Sequence, residues 1–146
     1  MKLSTKGRYG LRAMVDLATE YDSGGKLSIA QLSERQQISY SYLEQLIALL
    51  KKAHLVSASR GVQGGYKLSR APEEITVGEV LKALEGSTAL VECVDTCGTD
   101  CDNVCSCAAR PLWLKLQQRI DDVLETTTIR DMANDYIIQK ERNLDQ

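Results

Sequence analysis

Between residues 7 and 25 the apolar positions Leu11, Met14, Val15 and Ala18 fall at i, i+3, i+4 and i+7. That spacing lines one face of a helix. Gly24 and Gly25 stop it. Ser28 then precedes a short second helix, IAQLSERQQ, and Gln31 stands three residues on, a capping-box pattern. Ile38 closes this helix in a tight connection. Ser39 opens a third helix, YSYLEQLIALLKKA, with Leu43, Leu46, Ile47 and Leu50 as its buried stripe. Lys51 and Lys52 lie in its last turn, where positive charge suits the helix dipole. Two helices joined by so few residues predict a helix-turn-helix.

The period then changes from helical to alternating. Val56 and Ala58 alternate, as do Tyr66 and Leu68, on either side of the glycine-rich stretch from Arg60 to Gly65. This predicts two short strands in a hairpin. Pro72, with Glu73 and Glu74 behind it, marks a boundary, dividing the chain into residues 1–70, a winged helix-turn-helix, and residues 71–146. Thr76 and Glu79 form a second capping box, opening a helix that runs through Leu84 and ends at Gly86. Pro111 suits the start of a longer helix, whose one side carries Trp113, Leu116, Ile120, Val123 and Leu124. Either this helix is buried within its own chain or it pairs with its copy in a second subunit. The second is expected, because its apolar side is large for so small an appendage. Thr128 and Asp131 cap a last helix, and the terminal Asn143, Leu144, Asp145 and Gln146 are expected to fray. The predicted fold is mainly α: a winged helix-turn-helix with a two-strand wing, plus a long dimerisation helix.

The composition agrees with this. There is no Phe, so Leu, Ile, Val, Ala and Met must build the core, which favours packed helices. The start, MKLSTKGRYGLRAM, carries charge where a signal peptide needs an apolar run. No stretch reaches the roughly eighteen apolar residues of a membrane span. A cytoplasmic protein without a membrane partner is expected, with its thiols reduced. The net charge of −2 hides an asymmetry. Residues 1–70 hold eleven Lys and Arg against five Asp and Glu; residues 71–146 hold seven against fifteen. The basic half either meets a polyanion or is simply a solvated surface. No phosphate loop or nucleophile–base pair is visible, and His54, the single histidine, closes the recognition helix as a surface residue. An enzyme with a small-molecule substrate is therefore not expected.

If the partner is a double-stranded DNA operator, the early residues of the third helix reach base edges. These are Ser39, Tyr40, Ser41, Glu44 and Gln45; Tyr42 either joins them or packs inward. Gln45 can pair with adenine and Glu44 can accept from cytosine. In the wing, Arg60 can enter a minor groove, while Gly61, Gly64 and Gly65 allow close backbone approach or simply a tight turn. Lys6 and Arg8 are the candidate phosphate contacts.

All five cysteines, Cys93, Cys97, Cys101, Cys105 and Cys107, fall in one polar loop. Disulfides suit neither an odd number nor a reducing compartment. Unligated thiols among Asp95, Asp100 and Asp102 would be open to oxidation, which favours a bound metal. The spacing matches no paired C-x2-C zinc signature, and zinc and iron–sulfur both remain open on spacing alone.

The segments MKLSTKGRYGLRAM, ISYSYLEQLIALLKKAHLVSASRGVQGGYKLSR and ITVGEVLKALEG, with the cysteine loop followed by RPLW, resemble the Rrf2 superfamily. The likeness runs from residue 1 to about 132 and is strongest to its IscR-type iron–sulfur regulators. It implies a homodimeric winged-helix transcription regulator, such as a repressor, holding an iron–sulfur cluster, 2Fe–2S in type. It selects Cys93, Cys101 and Cys107 as ligands, because the family's last two cysteines are six apart and the last stands six before a Trp, here Trp113. The resemblance places a histidine ligand three before that Trp. Arg110 stands there and cannot ligate. Nor does KGRYG, with Arg8, offer the Asp that other members lend to their partner. The fourth position is left to Cys97, Cys105, an exogenous thiol, Glu92 or Asp95. The regulated genes implied are those of cluster assembly. The alternatives are a nitric-oxide or redox sensor with a 4Fe–4S cluster, and a zinc-stabilised DNA-binding adaptor.

Overall fold

The computed structural model describes residues 2–95, 102–103 and 105–146. Among these residues, six helices and one two-stranded sheet follow the predicted order. They are α1 (Thr5–Thr19), α2 (Ile29–Gln36), α3 (Tyr40–Lys52), β1 (Val56–Ser59), β2 (Gly65–Leu68), α4 (Val77–Glu85), α5 (Arg110–Thr126) and α6 (Ile129–Leu144). Single 3-10 turns, Pro72–Glu74 and Glu92–Val94, sit in the connections. No described helix is long and apolar enough to cross a membrane.

α1 is the hub. Ala13, Met14, Leu17 and Ala18 are buried along it, and α2, α3, α4, α6 and β2 pack around it. Leu43, Leu46, Ile47 and Leu50 of α3 enter the same core, and so do Ile75, Val80, Leu81, Leu84, Ile129 and Ala133 from beyond residue 70. One continuous core thus spans both halves of the chain. The apolar stripes read from the sequence are the faces that meet there.

Local chemistry sets the helix ends. Ser28, Thr76 and Thr128 each accept from the backbone N–H three residues on, while Gln31, Glu79 and Asp131 accept from the cap residue's own N–H. The last two caps lie side by side. Val77 N–H donates to Thr127 O at 2.9 Å, and Ile129 N–H to Ile75 O at 2.9 Å. α6 thereby docks beside the start of α4. It also runs on through Leu144, against the expected fraying from Asn143. Its end, Gln139 to Arg142, is made of good helix formers, and Lys140 Nζ lies 4.9 Å from the Tyr136 ring, one turn back.

Strand register is Val56 opposite Leu68 and Ala58 opposite Tyr66. Leu27 adds a further rung: its N–H donates to Tyr66 O at 3.0 Å, and Tyr66 N–H returns a bond to Leu27 O at 2.8 Å. The wing is thus tied to the segment that leads into α2.

α5 is the exception to inward packing. Its only buried residue is Gln117. Leu124 reaches the core, and Trp113 and Ile120 are half-buried. Leu112, Leu116 and Val123 stay exposed, Val123 at 62%. Burial within its own chain therefore does not describe this helix.

Candidate functional site

α2 ends at Gln37, which takes the left-handed conformation at φ 55°. Ser33 Oγ donates to Ile38 O across the turn, and Ser39 Oγ then caps α3 by accepting from Tyr42 N–H at 3.3 Å. With its apolar stripe pinned in the core, α3 turns Tyr40, Ser41, Glu44 and Gln45 outward, and all four are exposed. Ser39 is exposed as well, though its hydroxyl already serves as the cap. Tyr42 packs edge-on against Tyr9, ring centroids 6.4 Å apart, so the inward alternative holds for it.

In the wing, Arg60, Gly61, Val62 and Gln63 form the exposed tip, and Gly61 has φ +105°. Gly64 and Gly65 are half-buried, and their lack of a side chain has a cause inside the protein. A Cβ on Gly64 would collide with the backbone of Ser59 and Arg60; one on Gly65 would stand 2.9 Å from Leu27 O. Lys6 and Arg8 project from the exposed first turn of α1. Four cations are engaged in ion pairs: Arg35 with Glu20, Arg70 with Glu79, Lys82 with Glu125, and Arg130 with Asp22 and Glu73. Among the described residues no ion pair holds Lys6, Arg8, Lys51, Lys52 or Arg60. Unpaired positive charge thus stands on α1's start, α3's end and the wing, as it does on Lys115, Arg119 and Arg142 of the last two helices.

The cysteine loop runs from α4 to α5. Cys93 lies in the Glu92–Val94 turn and Cys107 just before α5; both are half-buried, Cys105 is exposed, and all three thiols are free. Cys97 and Cys101 lie outside the described residues. Among the described residues no three potential ligands converge. Gln117 was not anticipated from the sequence, yet it clamps this segment. Its Oε1 accepts from Leu90 N–H at 2.6 Å, and its Nε2 donates to Thr88 O at 3.4 Å and to Asp121 Oδ1 at 2.8 Å. Arg110 N–H donates to Cys107 O at 3.3 Å, while Arg110 Nε is buried without an acceptor among the described residues. A buried donor left unpaired is costly. The thiols of Cys93 and Cys107, on either side of this loop, are of the ligand type that suits zinc or an iron–sulfur cluster.

A capped recognition helix behind a helix-turn-helix, an exposed wing arginine and unpaired cations define a winged-helix DNA-binding protein. The sequence model of the Rrf2 family, an iron-dependent transcriptional regulator, matches residues 3–135. The chain belongs to the Rrf2 family of transcription regulators. It is 40% identical over 140 residues to the HTH-type transcriptional regulator IscR of Aliivibrio salmonicida, covering 96% of this chain and 82% of the relative. The solved structure of CymR (YrzC), the global cysteine regulator of B. subtilis, superposes with TM-score 0.78 at 38% identity, covering 92% of this chain and 97% of that one. IscR from T. potens superposes with TM-score 0.74 at 41% identity, covering 93% and 88%. Relatives of both names stand at nearly equal distance, so likeness alone fixes the family and not its branch.

Proposed function

We propose that this chain is a cytoplasmic, homodimeric regulator that reads a DNA operator and reports iron–sulfur cluster status. Residues 1–70 act as the reading head, and residues 71–146 supply the dimer helix and the sensing loop. Ser39, Tyr40, Ser41, Glu44 and Gln45 face the major groove. Arg60 and the wing backbone at Gly61, Gly64 and Gly65 face the adjacent groove. Lys6 and Arg8 meet phosphate. Cys93, Cys101 and Cys107 hold a 2Fe–2S cluster, which when bound supplies an iron- and redox-responsive charge. The observation that carries the reading is the cysteine loop itself, with Cys93 in a turn packed against α5 and Cys107 just before the start of that helix, both half-buried.

The chain's own residues supply the linkage. Gln117 anchors the start of the loop to α5, and Arg110 anchors its end. Ordering the loop therefore bears on α5, and through the dimer on the spacing of the two recognition helices. Occupancy changes DNA affinity only by its differential affinity for two such arrangements.

The test is an absorption and EPR spectrum of protein purified without oxygen, with iron, sulfide and zinc assayed together. Visible charge-transfer bands with iron and sulfide in equal amounts are expected. Cys107→Ala should abolish them and Cys97→Ala should keep them. A colourless protein holding zinc would leave a DNA-binding dimer with a structural loop and overturn the sensing role.

A further inference from the structure

We propose that Glu85 is the positioning residue for the DNA-contacting first turn of α1, and that it ties this turn to the cysteine loop. The proposal rests on the DNA-binding reading above. One oxygen of Glu85, Oε1, accepts from Ser4 N–H at 2.9 Å, Ser4 Oγ–H at 2.7 Å and Gly7 N–H at 3.1 Å. A helix start has N–H groups without intrahelical partners, and an N-cap serine ordinarily accepts from one of them. Ser4 makes no such bond here. Its hydroxyl donates to Glu85, and the N–H that it would have capped goes to Glu85 as well. The cap of α1 is therefore supplied from the far end of α4.

The charges give this cap a purpose. The first turn of α1 contains no acidic residue, yet it carries Lys6 and Arg8 close by. Cations at the positive end of a helix dipole are unfavourable, and a carboxylate there offsets them. Glu85 thus holds in helical form a turn whose own composition resists it, and that turn bears the two proposed phosphate contacts.

The packing is built around the contact. A Cβ on Gly7 would collide with Glu85 Oε1, and one on Gly10 would run into the Leu84 side chain. Gly7 and Gly10, one turn apart, let α1 approach the end of α4 closely. Immediately after Glu85 the chain turns at Gly86, φ +82°, into the segment that Gln117 grips at Thr88 and Leu90 and that leads to Cys93. The short link between first cysteine and first turn is therefore held at both ends.

The experiment uses the whole chain as purified without oxygen and a mixed-sequence DNA duplex. Affinity is measured against salt for wild type, Glu85→Ala, Gly7→Ala and the double variant, with hydrogen exchange followed at the Gly7 amide. Each single variant should lose protection at Gly7, weaken binding, and lower the salt slope by about 1 for each phosphate no longer neutralised. The double variant should be no worse than either single, because both break the same interaction. Glu85→Gln keeps an acceptor but removes the charge, and should fall between wild type and Glu85→Ala in both slope and Gly7 protection. If the role were only repulsion of DNA, Glu85→Gln and Glu85→Ala would both strengthen binding. Glu79→Gln, which loses its charge in the cap of α4 instead, should leave the slope unchanged. If wild type binds duplex and the single variants keep its slope, or if their effects add in the double variant, the positioning role alone falls. If wild type shows no salt-dependent duplex binding, the DNA-binding reading falls and takes this role with it.

Discussion

Asp16 is 3% exposed in the middle of α1, and Gln36 Nε2 donates to its Oδ2. Burial raises its pKa above the ordinary 3.8, outweighing the Gln36 hydrogen bond and the charges of Arg35, Lys140 and Arg12. The folded state therefore holds this proton to a higher pH than the unfolded chain does. Between the two pKa values the contribution of Asp16 to stability falls as pH rises, and above the folded value the full penalty remains. Asp16→Asn keeps an acceptor for Gln36 and removes the charge. Thermal unfolding of both proteins across acid and neutral pH should show the variant gaining on wild type as pH rises; a constant difference would refute the assignment. Asp16 shows why some residues are not legible in the sequence. It lies between Val15 and Leu17, and its partner is twenty residues away. Glu85 is hidden in the same way, because Ser4 and Gly7 are named as its partners only by the fold. Ser28, Ser39, Thr76 and Thr128 are legible, because each cap bonds within three residues.

At the scale of elements, the wing combines a legible hairpin with an attachment that no periodicity reveals. Alternation at Val56, Ala58, Tyr66 and Leu68 marks the strands, and the glycines mark the turn between them. The rung from Leu27 to Tyr66 is non-local, and it is what makes Gly65 obligatory. An added Cβ would meet Leu27 O at 2.9 Å and Leu27 C at 3.1 Å, backbone atoms that cannot swing aside. Gly65→Ala should therefore destabilise the fold by about 1–3 kcal/mol, the usual range for overpacking, as read by denaturant unfolding. Amide exchange at Leu27 and Tyr66 should rise with it. Unchanged protection at those two amides would show that the rung contributes nothing. Gly61 offers the contrast. Nothing lies within 4 Å of its would-be Cβ, so its positive φ, and not crowding, is what a side chain there would meet.

At the scale of the whole molecule, α5 remains unsatisfied within one chain. The apolar positions Trp113, Leu116, Ile120, Val123 and Leu124 are visible in the sequence, but which of them its own chain covers is not. The fold answers that: Gln117, Leu124 and Glu125 face α4 and the loop, leaving Leu112, Leu116 and Val123 outward. Contiguous exposed apolar side chains are the kind of surface that interaction sites use. In a two-fold pairing each stripe would meet its own copy. Val123, at 62% exposure, contributes almost nothing to the core, so Val123→Asp should leave the unfolding of a single chain nearly unchanged. Across a two-fold axis it would oppose a carboxylate to apolar surface or to its own twin, both strongly unfavourable. Sedimentation should then show wild-type dimers and variant monomers at the same concentration. Operator binding should weaken with the loss of the second half-site, while each monomer keeps its salt-dependent attachment to duplex. A variant that remains dimeric would place the subunit contact elsewhere, on the exposed Ile137 and Ile138 of α6, and would detach the cysteine loop from the spacing of the recognition helices.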